Sequence, residues 1–66
     1  MFKVVYVDGI YRAHIDNKNS VNKYGEPRLW ATYEEAEKWI LAHSYKGMSF
    51  KYEIMEVKNE IYYNDI

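Results

Sequence analysis

TYEEAEKWILAHSYKG, running from Thr32 to Gly47, is the one clear helical stretch in a chain of 66 residues. A single helix cannot bury its own apolar stripe, so it must lie on something else. Thr32 and Glu35 have the spacing of a capping box, with Thr32 at the N-cap and Glu35 at N3. Glu34 and Glu35 set negative charge in the first turn, where the helix dipole favours it. Gly47, just after Lys46, is placed to end the helix as its C′ residue. At 100° per residue, Ala36, Ile40 and His43 form the centre of one face, flanked by Tyr33 and Trp39. That face is expected on the core. Glu34, Lys38, Leu41 and Tyr45 fall on the opposite side.

The rest of the chain carries β patterning. FKVVYVDGIYRAHID reads as a hairpin, with runs Phe2–Val7 and Ile10–Ile15 around a type I′ turn at Asp8-Gly9. In the second run Tyr11, Ala13 and Ile15 face inward, while Arg12 and His14 face outward with Ile10. The first run is apolar on both faces, which places it centrally in a sheet or under a second cover. RLWAT predicts a third strand ending at Thr32, and SFKYEIMEV a fourth. The expected fold is therefore α+β: a small antiparallel sheet of three to four strands, order β-β-β-α-β, with one amphipathic helix on one face. The whole chain, 1–66, reads as a single domain. Its expected irregular parts are a flexible loop over 17–27 and a tail over 58–66 with no clean period.

The loop segment NKNSVNKYGEPR, from Asn17 to Arg28, contains one aliphatic side chain, Val21. So little apolar surface cannot repay ordering by burial, and a mobile connection is expected, tolerant of shortening across Lys18–Gly25.

Composition narrows the function classes. With no cysteine, disulfides and thiolate zinc sites are excluded. The formal net charge is −1, far from the basic footprint of a dedicated nucleic-acid binder. No apolar run approaches the roughly 20 residues of a membrane span, and the N-terminus is too strand-like for a signal peptide. A soluble cytoplasmic protein is expected, with no membrane association.

Catalysis finds no support. Ser20, Ser44 and Ser49 lack the setting of an activated nucleophile, and Glu34 and Glu35 point to different helix faces. His14 and His43 are expected on different elements, one outward and one at the core edge, so they make no metal pair. No catalytic residue, metal ligand or cofactor is expected, and the chain is read as a non-enzyme.

Two binding readings remain. The first is a protein interface built from Leu41 and Tyr45 on one helix stripe, Tyr24 and Arg28 in the loop, and Tyr62 and Tyr63 in the tail. The chain is rich in tyrosine, eight in all, a residue favoured at interfaces and also at home in half-buried sheets. Leu41 and Tyr45 could alternatively pack against the tail. The second reading is weak nucleic-acid binding through Arg12, His14, Lys18, Lys23, Arg28 and Trp30, cations interleaved with stacking rings. A sheet edge left open in so small a domain also suggests a homodimer.

The succession VYVDG, WATYEEAEKWI and YEIMEV resembles many small uncharacterised proteins of phages and mobile elements in A/T-rich Gram-positive bacteria. The resemblance implies the α+β fold, a phage-like origin, and action by binding a host protein as a modulator or inhibitor. It assigns no functional residue.

Overall fold

The structure, a computed structural model, describes residues 1–58. Its elements run β1 (Phe2–Asp8), β2 (Tyr11–Ile15), β3 (Val21–Asn22), α1 (Tyr33–Ala42) and β4 (Lys51–Glu56). The four strands form one antiparallel sheet in the order β3-β2-β1-β4, and α1 packs on β1 and β4. This is the small α+β fold expected from the sequence. As its two-sided apolar pattern implied, β1 is central.

The hairpin turn lies one residue later than the sequence suggested. Asp8 pairs with Tyr11, so the two-residue loop is Gly9-Ile10. Gly9 has φ +63° while Ile10 does not enter the positive-φ region. Positive φ at the first loop residue alone fits a type II′ turn, not type I′. Moving the turn by one leaves every side chain on its expected face but slides the register. Ile15 then comes beside Val4 at the centre of the core, where the two are 1% and 0% exposed. Burial of these two β-branched side chains is what the shifted turn achieves. Tyr11, by contrast, is inward-facing yet remains 42% exposed.

RLWAT forms no strand. Trp30 exchanges two backbone hydrogen bonds with Phe2, at 2.9 and 2.8 Å, and the pairing goes no further. On one side the Arg28 N–H is taken by the Ile15 carbonyl at 2.8 Å and Pro27 is bridged to Asp16, and on the other Thr32 is already committed to the helix cap. The third strand is instead Val21–Asn22, inside the segment read as loop, paired to His14 and Ile15.

The helix begins as its sequence indicates. Thr32 is extended (φ −129°, ψ 156°) and its Oγ1 accepts from the Glu35 N–H at 3.1 Å. It ends earlier than expected, at Ala42. The His43 N–H reaches the carbonyls of Trp39 and Ile40 at 3.0 and 3.1 Å, and the Ser44 hydroxyl donates to Ile40 at 2.6 Å. These bonds satisfy last-turn carbonyls without another turn of helix. Gly47 serves a different purpose: with φ +88° it occupies the third position of a turn closed by Met48 N–H to the Tyr45 carbonyl at 3.4 Å.

The core consists of Val4, Ile15, Trp30, Ala36 and Trp39, with Phe2, Tyr6, Ile40, Tyr52 and Ile54 packed around it. The buried helix face is thus centred on Ala36 and Trp39, while Tyr33 and His43 are exposed. A helix of ten residues is about 15 Å long, whereas the seven residues of β1 extend about 23 Å. One helix therefore cannot cover the whole sheet face.

Three substitutions probe these local signals. Thr32→Ala removes the cap acceptor and is expected to cost about 1 kcal/mol in urea unfolding. Gly9→Ala meets no neighbouring atom but forces a Cβ into positive φ, so a loss of about 1 kcal/mol is expected from backbone strain alone. Ile10→Ser beside it should be silent, since Ile10 is fully exposed.

Candidate interaction surface

The part of the sheet that α1 leaves bare, at the hairpin-turn end, carries a cluster of aromatic rings. Tyr6 lies 4.7 Å from Phe50, 6.1 Å from Tyr11 and 6.3 Å from Tyr52, between ring centroids. Phe50 in turn touches Tyr52 at 5.5 Å and Tyr45 at 6.2 Å, edge to face. Period 2 places Tyr6, Tyr11 and Tyr52 on the helix side of the sheet, and the turn through Gly47 delivers Tyr45 to Phe50. Tyr6, Phe50 and Tyr52 are half-buried, Tyr11 is 42% exposed and Tyr45 63%. Mutual burial, and for Tyr6 also the Asp8 carboxylate, raises the Tyr6 and Tyr52 phenols above their ordinary value of 10.0. Both hydroxyls stay neutral in ordinary solution, and Tyr6 donates to Asp8 Oδ2 at 3.3 Å. Lys23 adds a cation over the Tyr11 ring, 5.7 Å from its centroid. The surface offers broad aromatic contact with polar tips, a composition suited to protein partners.

The proposed site residues are dispersed relative to this cluster. Leu41 and Tyr45 are exposed, at 72% and 63%, but the helix stops between them, so they do not form one helical stripe. Tyr24 is 77% exposed and makes no ring contact with another aromatic among the described residues. Arg28 is half-buried, its guanidinium donating to Asn19 Oδ1 at 2.6 Å and lying 4.6 Å from the Trp30 ring. Tyr62 and Tyr63 lie outside the described residues, as does the contact weighed between the tail and Leu41 or Tyr45.

The residues of the nucleic-acid reading are likewise separated. Trp30, expected as a stacking ring, is 6% exposed: it is enclosed by Trp39 and capped by Arg28, so its face offers no platform to a base. Arg12 and His14 lie on the outer face of the sheet, away from Tyr11 and Lys23. There Arg12 donates to Glu53 Oε1 at 2.8 Å, and Lys51 sits 3.4 Å from the same carboxylate. Both cations pull the Glu53 carboxyl below its usual range, with the Arg12 hydrogen bond contributing most. His14 Nε2 is shut from solvent with no hydrogen-bond partner among the described residues, and Lys18 is exposed. His43, expected at the core edge, stacks on Trp39 at 4.0 Å with its outer face exposed, and its Nδ1–H donates to the Trp39 carbonyl at 2.8 Å. Among the described residues no group of His, Asp or Glu side chains is arranged to hold a metal ion. No helix there is long and apolar enough to cross a membrane.

The loop that seemed able to bury nothing is organised by a carboxylate. Asp16 Oδ1 accepts from the backbone N–H groups of Lys18 and Ser20, both at 2.9 Å, and Oδ2 accepts from Asn22 Nδ2 at 3.1 Å. The Asp16 backbone closes the same turn with Asn19 and Ser20. Asn19, held at φ +60°, accepts from both Arg28 and the Trp39 indole N–H. The scarcity of apolar side chains pointed to a mobile connection, yet Asp16, Asn19, Ser20 and Asn22 belong to the residue types that bond nearby backbone groups. Shortening Lys18–Gly25 would remove Asn19 from the Trp39 indole, so it is now expected to destabilise the fold.

No family model, curated protein or solved structure matches the chain.

The Asp16 bonds, with Ser20 first, depress its carboxyl from the ordinary 3.8. A carboxyl held lower in the folded state contributes stability that is complete above 3.8 and is lost as the pH falls through the depressed value. Asp16→Asn is therefore expected to lower stability at neutral pH and to flatten the acid limb of the stability profile. Urea titrations of both proteins across the acid range check this. Parallel profiles would show that the network contributes nothing.

Proposed function

We propose that the chain is a non-catalytic protein-binding module whose contact surface is the aromatic cluster of Tyr6, Tyr11, Tyr45, Phe50 and Tyr52. One observation carries this reading: five rings in contact with one another at the hairpin-turn end of the helix side, running from Tyr52 against Trp39 out to the exposed Tyr11 and Tyr45. Leu41 and Tyr24, exposed elsewhere on the surface, are open to contact as well. We take the partner to be a host protein that the module modulates or inhibits, in keeping with the phage-type resemblance, and a second copy of the chain as a further partner. A cytoplasmic site of action goes with that reading.

Weak nucleic-acid binding has one observation in its favour, the Lys23 ammonium over Tyr11. Arg12 and Arg28 weigh against it, because Glu53 and the Asn19–Trp30 pair already engage them. Salt separates the two: phosphate contacts weaken steeply with ionic strength, aromatic contacts hardly at all.

The test is capture of partners from a bacterial lysate by the immobilised chain, with and without nuclease, followed by affinity measurement on the protein recovered. Tyr11→Ala with Tyr45→Ala is expected to weaken that affinity by at least about tenfold, as loss of aromatic anchors does. The melting temperature should fall by only a few degrees, since Tyr45 is largely exposed and Tyr11 partly so. Nuclease-sensitive capture with a steep salt dependence would reverse the choice between the readings.

A further inference from the structure

The outer edge of β4 carries hydrogen-bonding groups that no described residue engages. Phe2 directs its N–H and C=O to Trp30, on the β2 side of β1, and the Val57 N–H points to the Met1 carbonyl. Alternation along antiparallel strands then turns Lys51, Glu53 and Met55 toward β1 and the main-chain groups of Tyr52, Ile54 and Glu56 outward. An open row of this kind is a template for another strand.

Charge selects both the partner and the register. In a symmetric antiparallel pair, residues opposite each other must share a sheet face, which limits the centre to a residue facing itself. Centring on Glu53 or on Lys51 sets like charges face to face, which is unfavourable. Centring on Ile54 places Glu53 opposite Met55 and leaves both charges unmatched. Centring on Tyr52 places Lys51 opposite the second copy's Glu53, twice over. That pair falls at non-hydrogen-bonded positions, where side chains approach most closely. Each Glu53 already holds Arg12 at 2.8 Å, so the outer face would carry a continuous row of alternating charge across the axis. On the helix side, Tyr52 would meet its own copy and Phe50 would meet Ile54, extending the aromatic cluster through the interface.

We propose that two copies of the chain pair along β4, antiparallel and with Tyr52 at the two-fold axis, forming a sheet of eight strands from two of four. This rests on the protein-binding reading only in taking a second copy as one of the partners. An edge pairing of this size is a small interface and a weak one, so the full-length chain is examined by sedimentation at roughly millimolar concentration.

The wild type is expected to dimerise. Lys51→Glu and Glu53→Lys are each expected to weaken their own dimer about tenfold, because each sets two like pairs across the axis. An equimolar mixture of the two variants restores both attractive pairs and should recover the wild-type affinity. Circular dichroism checks the fold of each. If Glu53→Lys fails to fold beside Arg12, Glu53→Gln takes its place and should recover part of the affinity in the mixture. A monomeric wild type, variants that dimerise as well as the wild type, or a mixture no tighter than its components would each overturn the proposal. Tyr11→Ala with Tyr45→Ala should leave the dimer intact, so failure of the cluster as a partner site and failure of the β4 pairing are read independently.

Discussion

The indole of Trp39 has two requirements that this small chain must meet together. Its rings need burial, and its N–H, once buried, needs an acceptor. The rings are met by Trp30 at 5.7 Å, Tyr52 at 5.3 Å and the stacked His43 at 4.0 Å, leaving Trp39 8% exposed. The N–H finds Asn19 Oδ1 at 3.3 Å, and that same oxygen accepts from Arg28, whose guanidinium covers Trp30. Helix, sheet and connecting segment are therefore joined at one side chain. Asn19 reaches it only in a left-handed conformation, φ +60°, which asparagine tolerates better than most residues. The turn that holds Asn19 there is in turn held by the Asp16 carboxylate.

From this junction follows the distribution of exposed and covered surface. One helix anchored by Trp39 covers Val4 and Ile15, and the sheet beyond it is covered by tyrosine and phenylalanine rings packed on one another. The outer face is handled differently. Val5 and Val7 are 5% and 8% exposed there, although no second helix lies on that side among the described residues. The neighbouring side chains are long and charged, Arg12 and Lys51 bracketing Glu53, and their aliphatic stems shield the valines while the charged ends stay in water. The two faces thus differ in chemistry: one aromatic with polar tips, the other a bridged row of ions. That difference underlies the two proposals, the aromatic face for a foreign partner and the ionic face for matching across the β4 edge.

Several parts of this arrangement were legible in the residues themselves, and for a common reason. The Thr32 cap, the central position of β1, the faces of β2 and the placing of β4 depend on spacings of one to four residues. Such short-range patterns act whatever the rest of the chain does. The aromatic cluster was less visible. Tyr6, Phe50 and Tyr52 read as ordinary core positions of their strands, and only the shortness of the helix relative to β1 signals that some of them must lie beyond its cover.

By itself the sequence determined the α+β class, the hairpin, the capped start of the helix and the side of each strand that faces inward, because hydrophobic period and capping chemistry are local. The tertiary structure decided the position of the turn, which moved by one residue and so slid the pairing by two, seating Ile15 beside Val4. It decided the end of the helix at Ala42, where His43 and Ser44 turned back onto the last carbonyls once His43 could stack on Trp39. It also moved the third strand from RLWAT to Val21–Asn22 and drew Trp30 from an expected surface into the core. Each of these outcomes balances a local preference against a contact between residues far apart in the chain, and burial of two indoles outweighs the preference of a few backbone residues for one turn or strand over another.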